Sequence, residues 1–157
     1  KSLNREWIAN GPKKSSEDAV YEISLDAECA AGNFGEICVV MMDDLGKGCE
    51  KVDHDDLLAK AEIYHFPSKI CHAAVRMYQS PRRIKCAAAY SRPISTNKGV
   101  LAGCPIAMSL VLLANFSPVD DFWQNLPMRI KSYVSSFKVY VDDFIISFRF
   151  DTNKMSN

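Results

Sequence analysis

Apolar and polar positions along this chain alternate in two distinct rhythms. Val20, Ile23, Ala27 and Ala30 recur at helical intervals. They follow Ser15 to Asp18, whose spacing resembles a capping box, and Gly32 ends the run, so a helix is predicted there. Ile37 to Met42 is a continuous apolar run with the length and β-branched content of a buried strand. Asp53, with Asp56 three residues on, predicts the cap of a second helix. Its buried face would hold Leu57, Leu58, Ala61, Ile63 and Tyr64, and Pro67 would break it. A third helix is expected from Ser68 to Tyr78, ending at Gln79-Ser80-Pro81. Ile84 to Tyr90 and Arg92 to Ile94 read as short extended pieces, and Pro105 to Asn115 as a helix apolar on all sides and therefore buried. Phe137 to Tyr140 and Phe144 to Phe150 close the pattern as two strands of a hairpin. The order of elements predicts an α+β fold in which helices cover one face of an antiparallel sheet.

With 157 residues, 48% of them hydrophobic, the chain is the size of one domain, and closing into a single core would bury about 70% of its unfolded surface. Its longest apolar stretch, Val100 to Phe116, is interrupted by Gly103, Pro105, Ser109 and Asn115. It falls short of the roughly 20 apolar residues of a membrane span, so no membrane partner is expected. The first residues, Lys1 to Lys14, are polar and lack the apolar centre of a signal peptide, and Lys1 in place of Met suggests a fragment. Six cysteines occur without a Cys-x-x-Cys pair, and His54, His65 and His72 do not combine with them in a zinc spacing. A reduced, intracellular protein is expected.

Charge changes the picture through its distribution, because the net charge is zero. No acid occurs between Ile63 and Val119, a stretch that holds Lys69, Arg76, Arg82, Arg83, Lys85, Arg92 and Lys98. Those residues would give a phosphate-bearing partner one basic side.

Four pairs of adjacent aspartates stand among the 19 acids. Asp55-Asp56 and Asp120-Asp121, the latter just after Ser117-Pro118, are expected at helix starts, where carboxylates complement the N-terminal partial charge. Asp43-Asp44 and Asp142-Asp143 instead follow apolar strands. A turn clamped between buried strands presents its carboxylates rigidly, which suits a metal ion.

Three segments, read together, resemble the palm domain of reverse transcriptases of the kind encoded by retrotransposons without long terminal repeats. The first, Val39 to Leu58, reads VVMMDDLGKGCEKVDHDDLL. It is similar to that family's strand end, with an aspartate followed by Leu-x-Lys and, after a gap, an acid, Val and Asp-His before a helix. The second, SRPISTNKGVLAGCPIAMS from Ser91 to Ser109, is similar to the family's Gly-Val-x-Gln-Gly-x-Pro turn, and Gly99, Gly103 and Pro105 match it. The third is Tyr-x-Asp-Asp at Tyr140 to Asp143, the most specific of the three.

The resemblance implies a palm-like domain over residues 11–150 with tails at 1–10 and 151–157, and with the fingers and thumb of the family missing. It implies an RNA-directed DNA polymerase whose cofactor is Mg²⁺ or Mn²⁺ and whose partners are an RNA template, a DNA primer and deoxynucleoside triphosphates. A nuclear location would fit a retroelement. Asp44 and Asp142 would bridge two ions about 4 Å apart, with Asp143 as auxiliary ligand. Carboxylates about 5 Å apart repel by roughly 3 kcal/mol at an effective dielectric near 20, so a cation should stabilise the fold. Cys49, Gly99, Ala102, Gly103 and Tyr140 take the family's substrate-contacting places, and Arg82, Arg83, Lys85, Arg92 and Lys98 would follow the nucleic-acid backbone.

Two departures carry consequences. Ala102 replaces the family's glutamine and removes a hydrogen bond near template or nucleotide. Cys49 replaces an aromatic ring that blocks a ribose 2′-hydroxyl. Without fingers and thumb the piece is expected to be inactive alone. Two other readings fit parts of the pattern. One is a non-catalytic RNA-binding module using Tyr140, Phe144 and Phe148 on its sheet. The other is a Mg²⁺-dependent nucleotide cyclase, against which the absence of a Gly-Gly acidic turn argues.

Overall fold

The Ser15 hydroxyl accepts a hydrogen bond from the Asp18 amide, and the Asp18 carboxylate accepts one from the Ser15 amide, at 3.1 and 3.0 Å. This reciprocal cap starts α1, Ser16–Gly32. The computed structural model describes residues 5, 7–9, 14–44 and 46–154. Gly11, where the palm-like domain is expected to begin, and Leu45, in the first matched segment, lie outside the described residues. After α1 come β1 (Glu36–Asp44), α2 (Gly48–Lys51), α3 (His54–Ile63), α4 (Ser68–Gln79), β2 (Lys85–Cys86) and β3 (Ala89–Tyr90). Then follow α5 (Ala107–Asn125), α6 (Met128–Lys131), β4 (Val134–Tyr140), β5 (Asp143–Asp151) and a 3₁₀ turn at Thr152–Lys154. The chain forms two compact units: a sheet unit, Asn4–Gly46 with Pro118–Asn157, and a helical unit, chiefly Lys47–Ser117.

The sheet unit is an antiparallel sheet in the order β1-β5-β4, which makes the α+β class plain. Met41 lies opposite Ile146, and Ile146 opposite Phe137, so these three share one face. On the other face Lys138 pairs with Glu22 of α1, so α1 lies across that side. The first face is closed around Phe137 by Trp123, whose ring stacks on it at 4.9 Å and 14°, and by Trp7 at 6.4 Å. α1 buries Ala19, Ile23 and Ala30, while Val20 is exposed, so the helix is turned slightly from the face its sequence suggests. The expectation that β1 is a buried strand is corrected. It is an edge strand, and Ile37, Val39 and Met41 stay 48%, 47% and 48% exposed.

The segments expected as tails are packed where they are described. Trp7, Ile8 and Ala9 are buried, and Ile8 bridges to Val139 of β4. At the other end Asp151 completes β5, and the Thr152 amide donates to the Gly35 carbonyl at 2.7 Å.

In the helical unit, Asp53 caps α3 by accepting from the amides of Asp55 and Asp56. Leu57, Ala61 and Tyr64 are buried as expected, whereas Ile63 is exposed. α4 buries Cys71, Ala74, Val75 and Tyr78, the i, i+3, i+4, i+7 stripe of a helix that covers a core. α5 contributes Leu110, Val111, Leu113 and Phe116, all buried.

α5 also corrects an expectation, because it continues past Pro118 to Asn125 and puts Asp120-Asp121 inside a helix instead of at its start. Pro118 has no amide to offer the Ala114 carbonyl four residues earlier. The Lys60 ammonium donates to that carbonyl instead, which satisfies a part-buried acceptor that the proline leaves open. Asp120 is held by other work: it accepts from the Arg5 guanidinium at 2.8 Å and from the Trp7 indole at 3.2 Å. Among the described residues no helix is long and apolar enough to cross a membrane.

A candidate metal centre at the sheet end

β4 and β5 join through a turn of two residues, Val141 and Asp142, because Tyr140 and Asp143 are the last paired positions. Val141 takes φ 60°, which is costly for a β-branched residue. A two-residue hairpin needs positive φ at its first central position to match the strand twist, so hairpin geometry imposes that conformation on a valine. Val141 is 8% exposed, and its buried side chain holds the turn in place. The strain sits one residue from the carboxylates, where a rigid backbone fixes their direction.

Across the sheet, Asp44 at the end of β1 is paired with Asp143 at the start of β5. The two carboxylates therefore share a face, and Asp142 reaches them from the turn. One carboxylate oxygen from each of Asp44, Asp142 and Asp143 lies within 4.8 Å of the others. Asp43, the neighbouring acid, pairs with Phe144 and belongs to the opposite face. Strand register thus separates two aspartates that are adjacent in sequence. Three oxygen donors of this kind fit a hard divalent cation such as Mg²⁺ or Mn²⁺, which prefers carboxylates and keeps several waters.

Burial raises the Asp143 carboxyl above its ordinary value, and Asp142 and Asp44 push it the same way. A carboxyl raised in the folded state holds its proton there when the unfolded chain has released it. The metal-free protein therefore loses stability as pH climbs from the ordinary aspartate value to the raised one, and carries the full penalty above it. Asp143→Asn removes that penalty, so it is expected to raise the metal-free melting temperature at about pH 7 and to change little at about pH 3, where both forms are neutral. Thermal melts at the two pH values check this, and a lower melting temperature at neutral pH would show that the Asp143 carboxylate stabilises the fold.

The remaining sequence-predicted residues belong to the helical unit, except Tyr140, which is half-buried beside Asp143 in the sheet unit. Gly99 takes φ +92°, and a Cβ there would meet the Glu50 backbone at 3.4 Å. Its close approach is thus to α2. The Gly99 amide donates to the Val52 carbonyl and the Val100 amide to the Cys49 carbonyl, both at 2.8 Å. Gly103 also needs positive φ, at +84°, but has open space around it, and Ala102 beside it is exposed. Arg82, Arg83, Lys85, Arg92 and Lys98 are all exposed. Arg82 also donates to the Tyr78 carbonyl at 2.7 Å, Lys85 lies 5.7 Å over the Tyr90 ring, and Lys98 is 3.9 Å from Asp53.

Sequence reasoning missed His54. It is fully buried, and its Nε2 donates to the Gly99 carbonyl at 2.8 Å while its own amide donates to Asn97. The histidine therefore ties the start of α3 to the glycine turn. Its signal was the Val-Asp-His word of the first matched segment. The register also separates the three rings of the RNA-binding reading, because Tyr140 pairs with Asp143, one residue from Phe144. Tyr140 is therefore on the face opposite Phe144 and Phe148.

No protein-family model matches the sequence, and no curated protein matches it. Among solved structures, the chain is similar to an apo telomerase from Candida tropicalis truncated from its C-terminal domain, with a TM-score of 0.56 and 14% sequence identity. The likeness covers 95% of this chain and 30% of the telomerase chain. It is a likeness of fold.

Proposed function

We propose that this chain is the palm domain of an RNA-directed DNA polymerase of retrotransposon type, over residues 11–150, that carries out two-metal, template-directed nucleotidyl transfer. The observation that carries the reading is the meeting of Asp44 and Asp143 in register, with Asp142 beside them, within 4.8 Å. The Tyr-x-Asp-Asp word and the telomerase-like fold support it independently.

In this reading Asp44 and Asp142 would hold the divalent cations, with Asp143 as the auxiliary ligand. The bound cations would supply Lewis-acid activation of a primer hydroxyl and neutralise charge on the triphosphate. The chain's own part is to hold three carboxylates rigidly at one sheet end, which the strained Val141 turn and the β1–β5 register do. Gly99, Ala102, Gly103, Cys49 and Tyr140 are assigned to the nucleotide and template base. Arg82, Arg83, Lys85, Arg92 and Lys98 are assigned to the phosphates of an RNA template and DNA primer. The missing glutamine at Ala102 and the missing ring at Cys49 predict weak selection of the nucleotide and of its sugar.

The test is primer extension on an RNA template, with the chain joined to its flanking reading frame. Labelled DNA is expected with Mg²⁺ or Mn²⁺ and none from Asp142→Ala, while the 157 residues alone should give no product. A silent joined protein with either ion would overturn catalysis, and product from Asp142→Ala would overturn the assignment of the site.

A further inference from the structure

We propose that the outer edge of β1 is an interface between two copies of this chain, which pair it antiparallel about a twofold axis at Val39 to make one continuous sheet. The proposal stands independently of the polymerase reading.

The two edges of the sheet differ. At β4 the edge is closed by the chain's own first residues: the Val139 amide donates to the Trp7 carbonyl at 2.7 Å and the Ala9 amide to the Val139 carbonyl at 3.0 Å. β1 pairs with β5 alone among the described residues, so its other side is open. The ends of the ladder show which backbone groups point there. The Gly35 carbonyl accepts from the Thr152 amide, so Gly35 and, at every second position, Ile37, Val39 and Met41 turn their backbone groups to β5. The residues between them turn theirs outward, and accordingly the Glu36 amide donates to Asn33 and the Asp44 carbonyl accepts from Gly46. The amides and carbonyls of Cys38, Val40 and Met42 thus face out from the sheet, with no strand to meet them among the described residues.

Such edges are normally blunted by lysine, proline, a bulge or short length. None of these protects β1, which runs nine residues in unbroken register without a lysine or a proline. Along one face of it Ile37, Val39 and Met41 are each about half exposed, beside the half-buried, stacked rings of Phe150 and Phe148. An open edge with an apolar row alongside fits an added strand that is apolar at alternate positions.

β1 is itself such a strand, and its charges choose the register. Centred on Val39, the pairing sets Ile37 opposite Met41 of the other copy and Val39 opposite itself, while the outward groups of Cys38 meet those of Val40. No carboxylate then faces another, because Glu36 lies opposite Met42 and Asp43 opposite Gly35. Centred on Val40, Glu36 would face Asp44 and Ile37 would face Asp43, which like-charge repulsion and the apolar row oppose. Centred on Cys38, Met41 and Met42 would run past the end of the other strand. A twofold axis perpendicular to the sheet keeps both apolar rows on one side, and the closed β4 edge stops assembly at two copies.

The test is sedimentation velocity of the native chain across roughly 1–100 μM, the span around a micromolar dissociation constant. A dimer is expected. Val39→Lys, at a half-exposed position, sets two ammonium groups opposite each other and should weaken association more than about tenfold. Val40→Pro removes an outward amide, a change that an edge strand tolerates, and should give a folded monomer by circular dichroism. In Val39→Cys, mild oxidation should join the new thiol to its counterpart, because non-hydrogen-bonded partners lie about 4.5 Å apart at Cα, within disulfide reach. Peptide mass spectrometry separates that link from any made by the native cysteines. A native chain that stays monomeric over the whole range would leave the edge to a strand of some other protein and overturn the proposal, as would species that keep growing past the dimer. A dimer unmoved in folded Val39→Lys and Val40→Pro would place the interface elsewhere. A dimer that Val39→Cys links only through native cysteines would overturn the register.

Discussion

Mg²⁺ or Mn²⁺ at a hundredfold excess over its dissociation constant is expected to stabilise the native chain by about 2.7 kcal/mol, which for a chain of this size raises the melting temperature by roughly 5–11 °C. Asp142→Ala should show no such rise. The expectation follows from the closeness of the carboxylate oxygens of Asp44, Asp142 and Asp143, within 4.8 Å, and from the raised Asp143 carboxyl, pushed up first by burial and then by repulsion from Asp142 and Asp44. A divalent ion converts that repulsion into coordination, and only the folded state holds the three acids together. Differential scanning fluorimetry with and without the ion decides the matter. Equal shifts in the native chain and in Asp142→Ala would mean that the ion acts elsewhere, and the metal-centre assignment would fall. The affinity should also weaken in acid, because the raised Asp143 carboxyl takes up its proton at a higher pH than an ordinary aspartate does.

Phe116→Ala is expected to cost about 3–5 kcal/mol, the range for removing a large ring from a core that cannot collapse around the gap. Phe116 is fully buried in α5, and its ring meets that of Tyr64 at 4.6 Å and 52°. The two rings join α5 to the end of α3, where the Lys60 ammonium also reaches the Ala114 carbonyl. The site therefore has few ways to relax. Urea unfolding followed by far-ultraviolet circular dichroism measures the loss. A change under about 1 kcal/mol would show that neighbouring side chains fill the space, which close packing opposes.

How much of this could be read in advance differs from element to element. The capped starts of α1 and α3 were legible because a cap is a contact between residues three apart, and nothing distant competes with it. The closing hairpin was legible because apolar runs flank a short turn that carries the acids. The length of α5 was not, since Pro118 argues locally for a break and only Lys60, far away in sequence, satisfies the carbonyl that the proline leaves open. The exposure of β1 was misread because an apolar run does not say whether its strand will sit in the middle of a sheet or at its edge. His54 went unassigned because its partner, the Gly99 carbonyl, is 45 residues on.

The candidate site divides in the same way. The sequence by itself determined the inventory: the Tyr-x-Asp-Asp word, a second pair of acids after an apolar strand, and an acid-free basic stretch. These depend on residue identity and near neighbours, which local physics reads directly. Only the tertiary structure decided that Asp44 and not Asp43 joins Asp142 and Asp143, and that Tyr140 and Phe144 look to opposite faces. Strand register makes that choice, because a shift of one residue turns every side chain to the other side of the sheet, and register is set by partners more than 90 residues away.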